Sequence, residues 1–299
     1  MSAAEQPELL VVVGPTASGK TELAINIAQR VGGEIISADS VQIYRHFEIG
    51  TGKPTLTERS RAPHHLLDVV EPTEDMDAAR FAELALDTIG QIRARGRRPI
   101  VCGGTFLWVR ALIYGLAAAP AADPELRKRH AALVEAQGRA ALHAQLALVD
   151  PVCAARLAPN DFVRVSRALE VYESTGTPMS AWQAEHGFRS PRFRARLLGV
   201  ARDKVELDTR IRARAARMLK DGLVDEVRAL SQAGFAETRA MASVGYKQAR
   251  AAQLASGYDP AELLDEITRA TRIFARRQRT WLRDEPVEYV SPDLTGVVF

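Results

Sequence analysis

The sequence predicts an α/β protein: a parallel sheet flanked by helices, interrupted by an all-α insertion. Three observations carry this. Short β-branched apolar runs alternate with amphipathic helical stretches through residues 1–116, the pattern of strands buried on both faces and joined by crossover helices. The ends of those runs carry Gly14, Asp39 and Gly103, at the carboxyl edge where such sheets hold their ligands. Residues 117–185 then contain helical pattern without a convincing strand, and the alternation resumes over 186–299. The expected division is an α/β core of residues 1–116 and 186–299 around a helical domain of residues 117–185.

Residues 8–13 form a short apolar run ended by Gly14, with the length and composition of a buried strand. Residues 21–30 follow as a helix with Leu23, Ala24, Ile27 and Ala28 on one face, stopped by Gly32 and Gly33. Residues 34–38 make a second strand ending at Asp39, and residues 65–70 a third. A long helix spans 76–95, with Phe81, Leu84, Ala85, Ile89 and Ile92 at helical spacing and Gly96 closing it. Residues 99–102 form a strand that runs into Gly103 and Gly104. In the insertion, Asp123 before Pro124 marks a helix start, and Val165, Ala168, Leu169 and Tyr172 share a helical face. A strand at 196–201, helices at 205–230 and 261–283, and a strand at 287–290 complete the core.

Composition excludes several classes. A chain of 299 residues, 46% hydrophobic and 26% charged, suits one large or two modest globular domains. No apolar run approaches the roughly 18 residues of a bilayer span, so no membrane association is expected. Residues 1–8 lack the basic start of a secretory signal. Cys102 and Cys153 are too few for a disulfide framework and fit a reducing, cytoplasmic setting. Cys102 continues an apolar strand and reads as an inert buried thiol. No fixed-period repeat or low-complexity tract is present. The net charge of +3 hides an asymmetry: residues 1–150 hold 16 Lys/Arg against 18 Asp/Glu, and residues 151–299 hold 24 against 19. Arg269, Arg272, Arg276, Arg279 and Arg283 form one helical stripe, and Arg210, Arg214 and Arg217 another. Such stripes read either as solvated faces or as a local site for a polyanion.

Gly14, Pro15, Thr16, Ala17, Ser18, Gly19, Lys20 and Thr21 match G-x-x-x-x-G-K-[ST] in full, between a strand and a helix as the motif requires. The loop wraps so that successive backbone N–H groups face inward at a helix N-terminus, a concave anion site. Glycines at both ends permit backbone conformations closed to other residues. Lys20 adds a point charge on the terminal phosphate, and the Thr21 hydroxyl can ligate Mg²⁺. The fold is therefore P-loop NTPase-like. The ligand is a diphosphate or triphosphate; hydrolysis of ATP or GTP, or a kinase reaction, also needs an acid to hold Mg²⁺, for which Asp39 and Asp68 are the candidates. Asp39 at its strand end can act as a base towards a ligand on the loop, or cap the following turn. Thr105, after Gly103 and Gly104, can bring a hydroxyl from the facing side. Adjacent His64 and His65 point different ways and do not make a metal site.

Taken together, these segments resemble the tRNA dimethylallyltransferases (tRNA isopentenyltransferases), over almost the whole chain and in order. The resemblance rests on Gly14 to Thr21, Ser37-Ala-Asp-Ser-Val-Gln-Ile-Tyr44, Ile49-Gly-Thr-Gly-Lys-Pro54, Pro63-His-His-Leu-Leu-Asp68 and Gly103-Gly-Thr-Phe-Leu-Trp108. It continues through Asn160-Asp-Phe-Val-Arg-Val-Ser-Arg-Ala-Leu-Glu170, Ser243-Val-Gly-Tyr-Lys247 and Ala275-Arg-Arg-Gln-Arg-Thr-Trp281. Trp108 departs from the family's usual tyrosine and Gly52 from its usual alanine.

The resemblance implies that the loop holds the diphosphate of dimethylallyl diphosphate, and that the acceptor is N6 of the adenosine 3′-adjacent to the anticodon in the tRNA anticodon stem-loop. Asp39 would be the base, with Lys20, Thr105 and Arg214 as further catalytic groups and Mg²⁺ on Thr21. It implies tRNA contacts at Asp39, Ser40, Val41, Gln42 and Thr105, with the Gln42 amide pairing an adenine edge. Further contacts are implied at Arg127, Val163, Arg164, Val165, Ser166 and Arg167, at Ser243, Val244, Gly245, Tyr246 and Lys247, and at Arg276 and Arg277. Trp281, Tyr172 and Trp182 read as core aromatics rather than stacking platforms. A monomer is expected. Two rivals differ in class: an enzyme that prenylates free adenine nucleotides, and a phosphate-loop kinase or RNA-binding nucleotide switch.

Overall fold

In the computed structural model, which describes residues 9–255 and 257–299, the sheet lies where the apolar runs put it. The expectations for residues 1–8, and Glu8 as a first strand residue, fall outside the described residues. The chain runs through β1 (Leu9–Val13), α1 (Lys20–Val31), β2 (Gly33–Ala38), α2 (Leu56–Arg61), the two-residue β3 (His64–His65), α3 (Ala78–Ala94), β4 (Arg98–Gly103) and α4 (Phe106–Tyr114). Five helices follow: α5 (Pro124–Gln137), α6 (Arg139–Val149), α7 (Pro151–Arg156), α8 (Phe162–Thr175) and α9 (Met179–His186). Then come β5 (Ala195–Val200), α10 (Lys204–Lys220), α11 (Leu223–Gln232), α12 (Tyr246–Leu254), α13 (Pro260–Leu282) and β6 (Val287–Val290). The strand order among the described residues is β3-β2-β4-β1-β5-β6, every pair parallel.

Register sets the carboxyl edge. Gly103 pairs with both Val13 and Ala38, and Val13 also pairs with Gly199, so β1, β2, β4 and β5 end in one row. The strands in the middle of the sheet are buried on both faces. Leu10, Val12, Ile35, Ile100 and Leu198 pack with Leu23 and Ile27 of α1, each such side chain contributing about 1.5–3 kcal/mol of burial. This anchors the first turn of α1, and with it Lys20 and Thr21, against the sheet.

The chain divides into two units. One comprises residues 9–113 and 191–299 of the described chain; the other is Tyr114–Ser190, with its own core of Leu142, Leu146, Cys153, Ala154, Val165, Ala168 and Leu169. Its borders at 114 and 190 lie a few residues outside the expected 117 and 185, and within it Tyr114 and Phe188 pack edge to face with ring centroids 6.1 Å apart.

The elements differ from the sequence expectation in three respects. Of the run at 65–70, only His65, with His64 before it, joins the sheet as a strand, and Val70 makes an isolated parallel bridge to Tyr44; Leu66 and Asp68 take left-handed backbone (φ 58° and 56°), which breaks the pleat between them. The helix expected at 205–230 is two helices, α10 and α11, separated at Asp221 and Gly222, where Gly222 has φ 97°. Helices α2, α4 and α12 are additional; the apolar Phe106–Tyr114 follows a strand directly and carries no polar period to betray a helix. Among the aromatics, Trp281 is 39% exposed with the Arg110 guanidinium 5.4 Å from its ring centre, and Tyr172 and Trp182 are half-buried, so none is a core residue.

Gly103 is a test of this edge. A Cβ there would lie 2.1 Å from the carbonyl oxygen of Ala38, a backbone atom that cannot swing away. Gly103→Ala is expected to lower stability by about 1–3 kcal/mol in chemical denaturation; wild-type stability would mean the β2–β4 edge is looser than this register requires.

Candidate active site

The loop between β1 and α1 is held in shape from three directions. Gly19 (φ 95°) and Ala17 (φ 64°) occupy left-handed backbone. Gly14 does not; its requirement is space, since a Cβ would meet Ser18 Oγ at 2.7 Å. The Ala17 carbonyl accepts from Arg210 Nε (2.8 Å) and the Ser18 carbonyl from Arg202 Nε (3.1 Å), so two guanidiniums face the outer side of the turn. Two loop amides point away from the anion site, contrary to the expectation that they all converge. Thr16 N donates to Gln278 Oε1 (2.8 Å) and Ser18 N to the Pro15 carbonyl (3.3 Å).

Lys20, Asp39 and Arg214 meet in front of this loop. Burial lowers the pKa of the Lys20 ammonium, opposed in part by the charge of Asp39. Burial likewise lowers that of Arg214, again opposed by Asp39. A bound diphosphate would supply the counter-charge that these desolvated cations lack. Burial pushes the Cys102 thiol up to about 11, so it stays protonated and unreactive, as the sequence suggested.

Asp39 serves as a turn cap with one oxygen: Oδ1 accepts from Val41 N (3.0 Å) and Gln42 N (3.2 Å). The Thr105 hydroxyl accepts from Ser40 N (3.0 Å) and donates to Ser40 Oγ (3.3 Å), while Thr105 N donates to the Ala38 carbonyl (3.2 Å). Thr105 thus holds the turn that aims Asp39. The Gln42 amide, expected to pair with adenine, donates instead to the carbonyls of Gly52 (3.1 Å) and Thr51 (3.4 Å) and accepts from Ser37 Oγ (3.2 Å). Its hydrogen-bonding groups are already used within the fold.

A cavity of 270 Å³ brings together Thr16, Lys20, Thr21, Asp39, Ser40, Val41, Gln42, Thr105 and Arg214 with Ser243, Val244 and Gly245. A second, of 860 Å³, shares Lys20, Thr21, Gly52, Arg214 and Met218 with the first and is also walled by Ala17, Gly19, Arg59, Arg210 and Arg217. The anion cradle therefore borders both cavities, with Arg214 and Met218 in each wall. The sequence reading missed Met218, Phe274 and the glycines Gly50 and Gly52 as walls. Gln278, given no role from the sequence, lies on the buried face of α13, where an amide was the available signal.

The wall at Gly50 is fixed by Glu226. Its carboxylate accepts from Ile49 N (3.1 Å), Gly50 N (3.3 Å), Glu48 N and the Tyr246 hydroxyl (3.1 Å). Tyr246, expected to touch tRNA, is fully buried framework; burial, then the Glu226 charge, raises its pKa.

The other expected contacts separate clearly. In the helical unit, Val163 is 76% exposed and Arg164 is exposed. Val165 and Ser166 are buried, because α8 turns them onto the core, where Ser166 Oγ pairs with His130 Nδ1 (2.9 Å). They are not surface contacts. Arg127, which is exposed, and the half-buried Arg167 both pair with the buried Glu170 carboxylate (2.9 and 2.5 Å), a partner that the pattern did not reveal. In the α/β unit, Lys247, Arg276 and Arg277 are exposed, as are Arg269, Arg272, Arg279 and Arg283. Asp68, a candidate for holding Mg²⁺, is ion-paired to Lys53 and Arg59 instead. His65 pairs with Glu34 (2.7 Å) and His64 with the Ala62 carbonyl (2.8 Å), and no cluster of three or more His, Cys, Asp or Glu suited to a metal exists among the described residues.

Fold and site define a P-loop α/β protein of the transferase type, built to hold an anion between a lysine, an arginine and a carboxylate. Residues 42–285 match the family described as IPP transferase. The chain is 65% identical to a tRNA dimethylallyltransferase of Sorangium cellulosum over 285 residues, covering 95% of this chain and 90% of that protein. It is 52% identical to one of Anaeromyxobacter dehalogenans, covering 95% of each. Among solved structures, a tRNA isopentenylpyrophosphate transferase of Bacillus halodurans superposes with a TM-score of 0.69 at 35% identity, covering 95% of this chain and 89% of that one. A eukaryotic dimethylallyltransferase described as acting on tRNA superposes at 0.80 with 26% identity, covering 96% and 75%. The chain belongs to the IPP transferase family.

Glu226→Gln keeps the shape but weakens a charged acceptor of several backbone N–H groups. It is expected to lower stability by about 1.5–3 kcal/mol. Thermal melting measures this, and an unchanged melt would show that the wall at Gly50 is held elsewhere.

Proposed function

We propose that the protein transfers the dimethylallyl group of dimethylallyl diphosphate to N6 of the adenosine 3′-adjacent to the anticodon in tRNAs, releasing diphosphate. One observation carries the reading: the carboxylate of Asp39 lines the same 270 Å³ cavity as Lys20, Thr21 and Arg214. A nucleophile and a leaving group can be served at once only if their protein partners share a space. The names of the relatives support the same reaction.

The exocyclic amine of adenine is a weak nucleophile, because its lone pair is delocalised into the ring. Asp39 accepts its proton as the nitrogen–carbon bond forms. The bond from the allylic carbon to the diphosphate oxygen breaks, and the electron pair leaves with the diphosphate. Lys20, Arg214 and the loop amides still free meet that growing charge, which lowers the barrier. Thr105 holds the Asp39 turn. The target base must leave its stack to reach this cavity, and Ser243, Val244 and Gly245 offer backbone and small side chains along one wall.

The donor set at Thr21 and Asp39, hard oxygens without a cage of three acidic or histidine ligands, fits Mg²⁺, which keeps waters and arrives with phosphates. Thr21 would hold it, and it would neutralise charge on the departing diphosphate. The exposed arginines of α13, Lys247, and Val163 with Arg164 are the surfaces proposed for tRNA phosphates and sugars. No helix among the described residues is long and apolar enough to cross a membrane. A monomer acting in the cytoplasm is the accompanying proposal.

Incubating the protein with purified tRNA and radiolabelled dimethylallyl diphosphate is expected to label the tRNA. Labelled AMP in place of tRNA, or turnover of ATP without labelled tRNA, would overturn the reading. Asp39→Asn should retain tRNA affinity and lose about 10²–10⁴-fold in rate; equal loss of binding and rate would leave Asp39 only its capping role. Chelation by EDTA is expected to abolish labelling and added Mg²⁺ to restore it, and labelling that persists in EDTA would exclude the metal.

A further inference from the structure

Gln278 is one of two polar residues, with Thr268, among the buried Leu263, Ile267, Ala275 and Leu282 of α13. Only 5% exposed, it reaches two loops distant in sequence. Its Oε1 accepts from Thr16 N (2.8 Å) in the phosphate loop, and its Nε2 donates to the Gly104 carbonyl (2.9 Å) beside Thr105. The amide orientation is dictated by its partners: an N–H needs the oxygen and a carbonyl needs the NH₂. The packing is close, for a Cβ on Gly104 would lie 2.4 Å from Nε2.

We propose that Gln278 is a positioning residue for the transfer, whose single amide sets the spacing between the diphosphate cradle and Asp39. The inference rests on the prenyl-transfer reading above. The linkage is continuous. Thr16 belongs to the cradle; Gly104 leads into Thr105; Thr105 bonds the Ala38 carbonyl and Ser40 N; Asp39 lies between those two residues. Both loops lie at strand ends whose own ladders stop at Val13 and Gly103, so beyond the sheet their separation is not set by strand pairing. An apolar residue at 278 would also leave a buried N–H and a buried C=O without partners.

Gln278→Glu separates this role from simple support. Ionised, the glutamate keeps an acceptor for Thr16 but turns an oxygen on the Gly104 carbonyl; protonated, it donates to Gly104 again, and burial favours the protonated form. Steady-state kinetics with tRNA and dimethylallyl diphosphate, with calorimetric titration of inorganic diphosphate, are followed from about pH 6 to about pH 8.5. Relative to wild type, Gln278→Glu is expected to lose about 100-fold in kcat at the alkaline end, with a smaller change in KM, and to recover towards the acid end. Its diphosphate affinity falls about tenfold with the same pH trend. Gln278→Met loses both bonds and shows a deficit that does not vary with pH.

A Gln278→Glu to wild-type ratio that is flat with pH, or wild-type kcat in Gln278→Met, overturns the proposal. If neither variant melts cooperatively, Gly104→Ala displaces the amide from the other end, and a wild-type rate there also overturns it. The diphosphate titration separates this failure from failure of the proposed reaction. Wild-type protein that labels no tRNA removes the reaction, while diphosphate affinity unchanged in Gln278→Glu across the range removes the bridge.

Discussion

Two partly desolvated cations beside one carboxylate are the constraint on which the rest of this structure depends. Burial disfavours the charged forms of both Lys20 and Arg214, and Asp39 offsets only part of that cost. The surplus of positive charge suits the site to a polyanion, and the carboxylate lines the same cavity. On the reaction proposed above, a diphosphate bound there would be stabilised most when it carries most charge, which is when it leaves. On that reaction Asp39 would be the base beside the atom that replaces it.

Keeping these charges at working distance demands a stiff frame, and it is built from polar side chains on backbone atoms rather than from packing alone. Arg202 and Arg210 face the outer carbonyls of the phosphate loop, which includes Ala17 in a left-handed conformation uncommon for a side chain with a Cβ. Glu226 gathers backbone amides of residues 48–50. Thr105 ties down the turn that carries Asp39. Each joins segments far apart in the chain, so none is visible as local pattern. Thr105 and Gln42 show the consequence: groups that look free to meet a ligand are engaged in holding the frame.

The legible parts of the site are those whose chemistry is local. Residues 14–21 make a loop by their own order, and Asp39 follows a strand that its apolar run announces. Exposure was less legible. Val165 and Ser166 lie inside a segment that as a whole looked like a contact surface, yet a helix turns about 100° per residue, so neighbours of Val163 and Arg164 point inward. Arg127 and Arg167 looked like free cations because their partner, Glu170, is buried some 40 residues or one turn away along the chain. Trp281 was expected in the core on its apolar character, but Arg110 stacks over it near the surface.

The sequence by itself determined the alternation of strands and helices, the phosphate loop, the helical insertion and the arginine stripes. All of these follow from short-range periodicity and from residue types whose backbone preferences act within a turn or two. Only the tertiary structure decided which of the candidate groups share one cavity, that Tyr246 is framework, and that Gln278 spans two loops 88 residues apart. Those are facts of strand order and helix placement. Hydrogen bonds between backbone groups at distant strand ends depend on ångström distances that no pattern along the chain encodes.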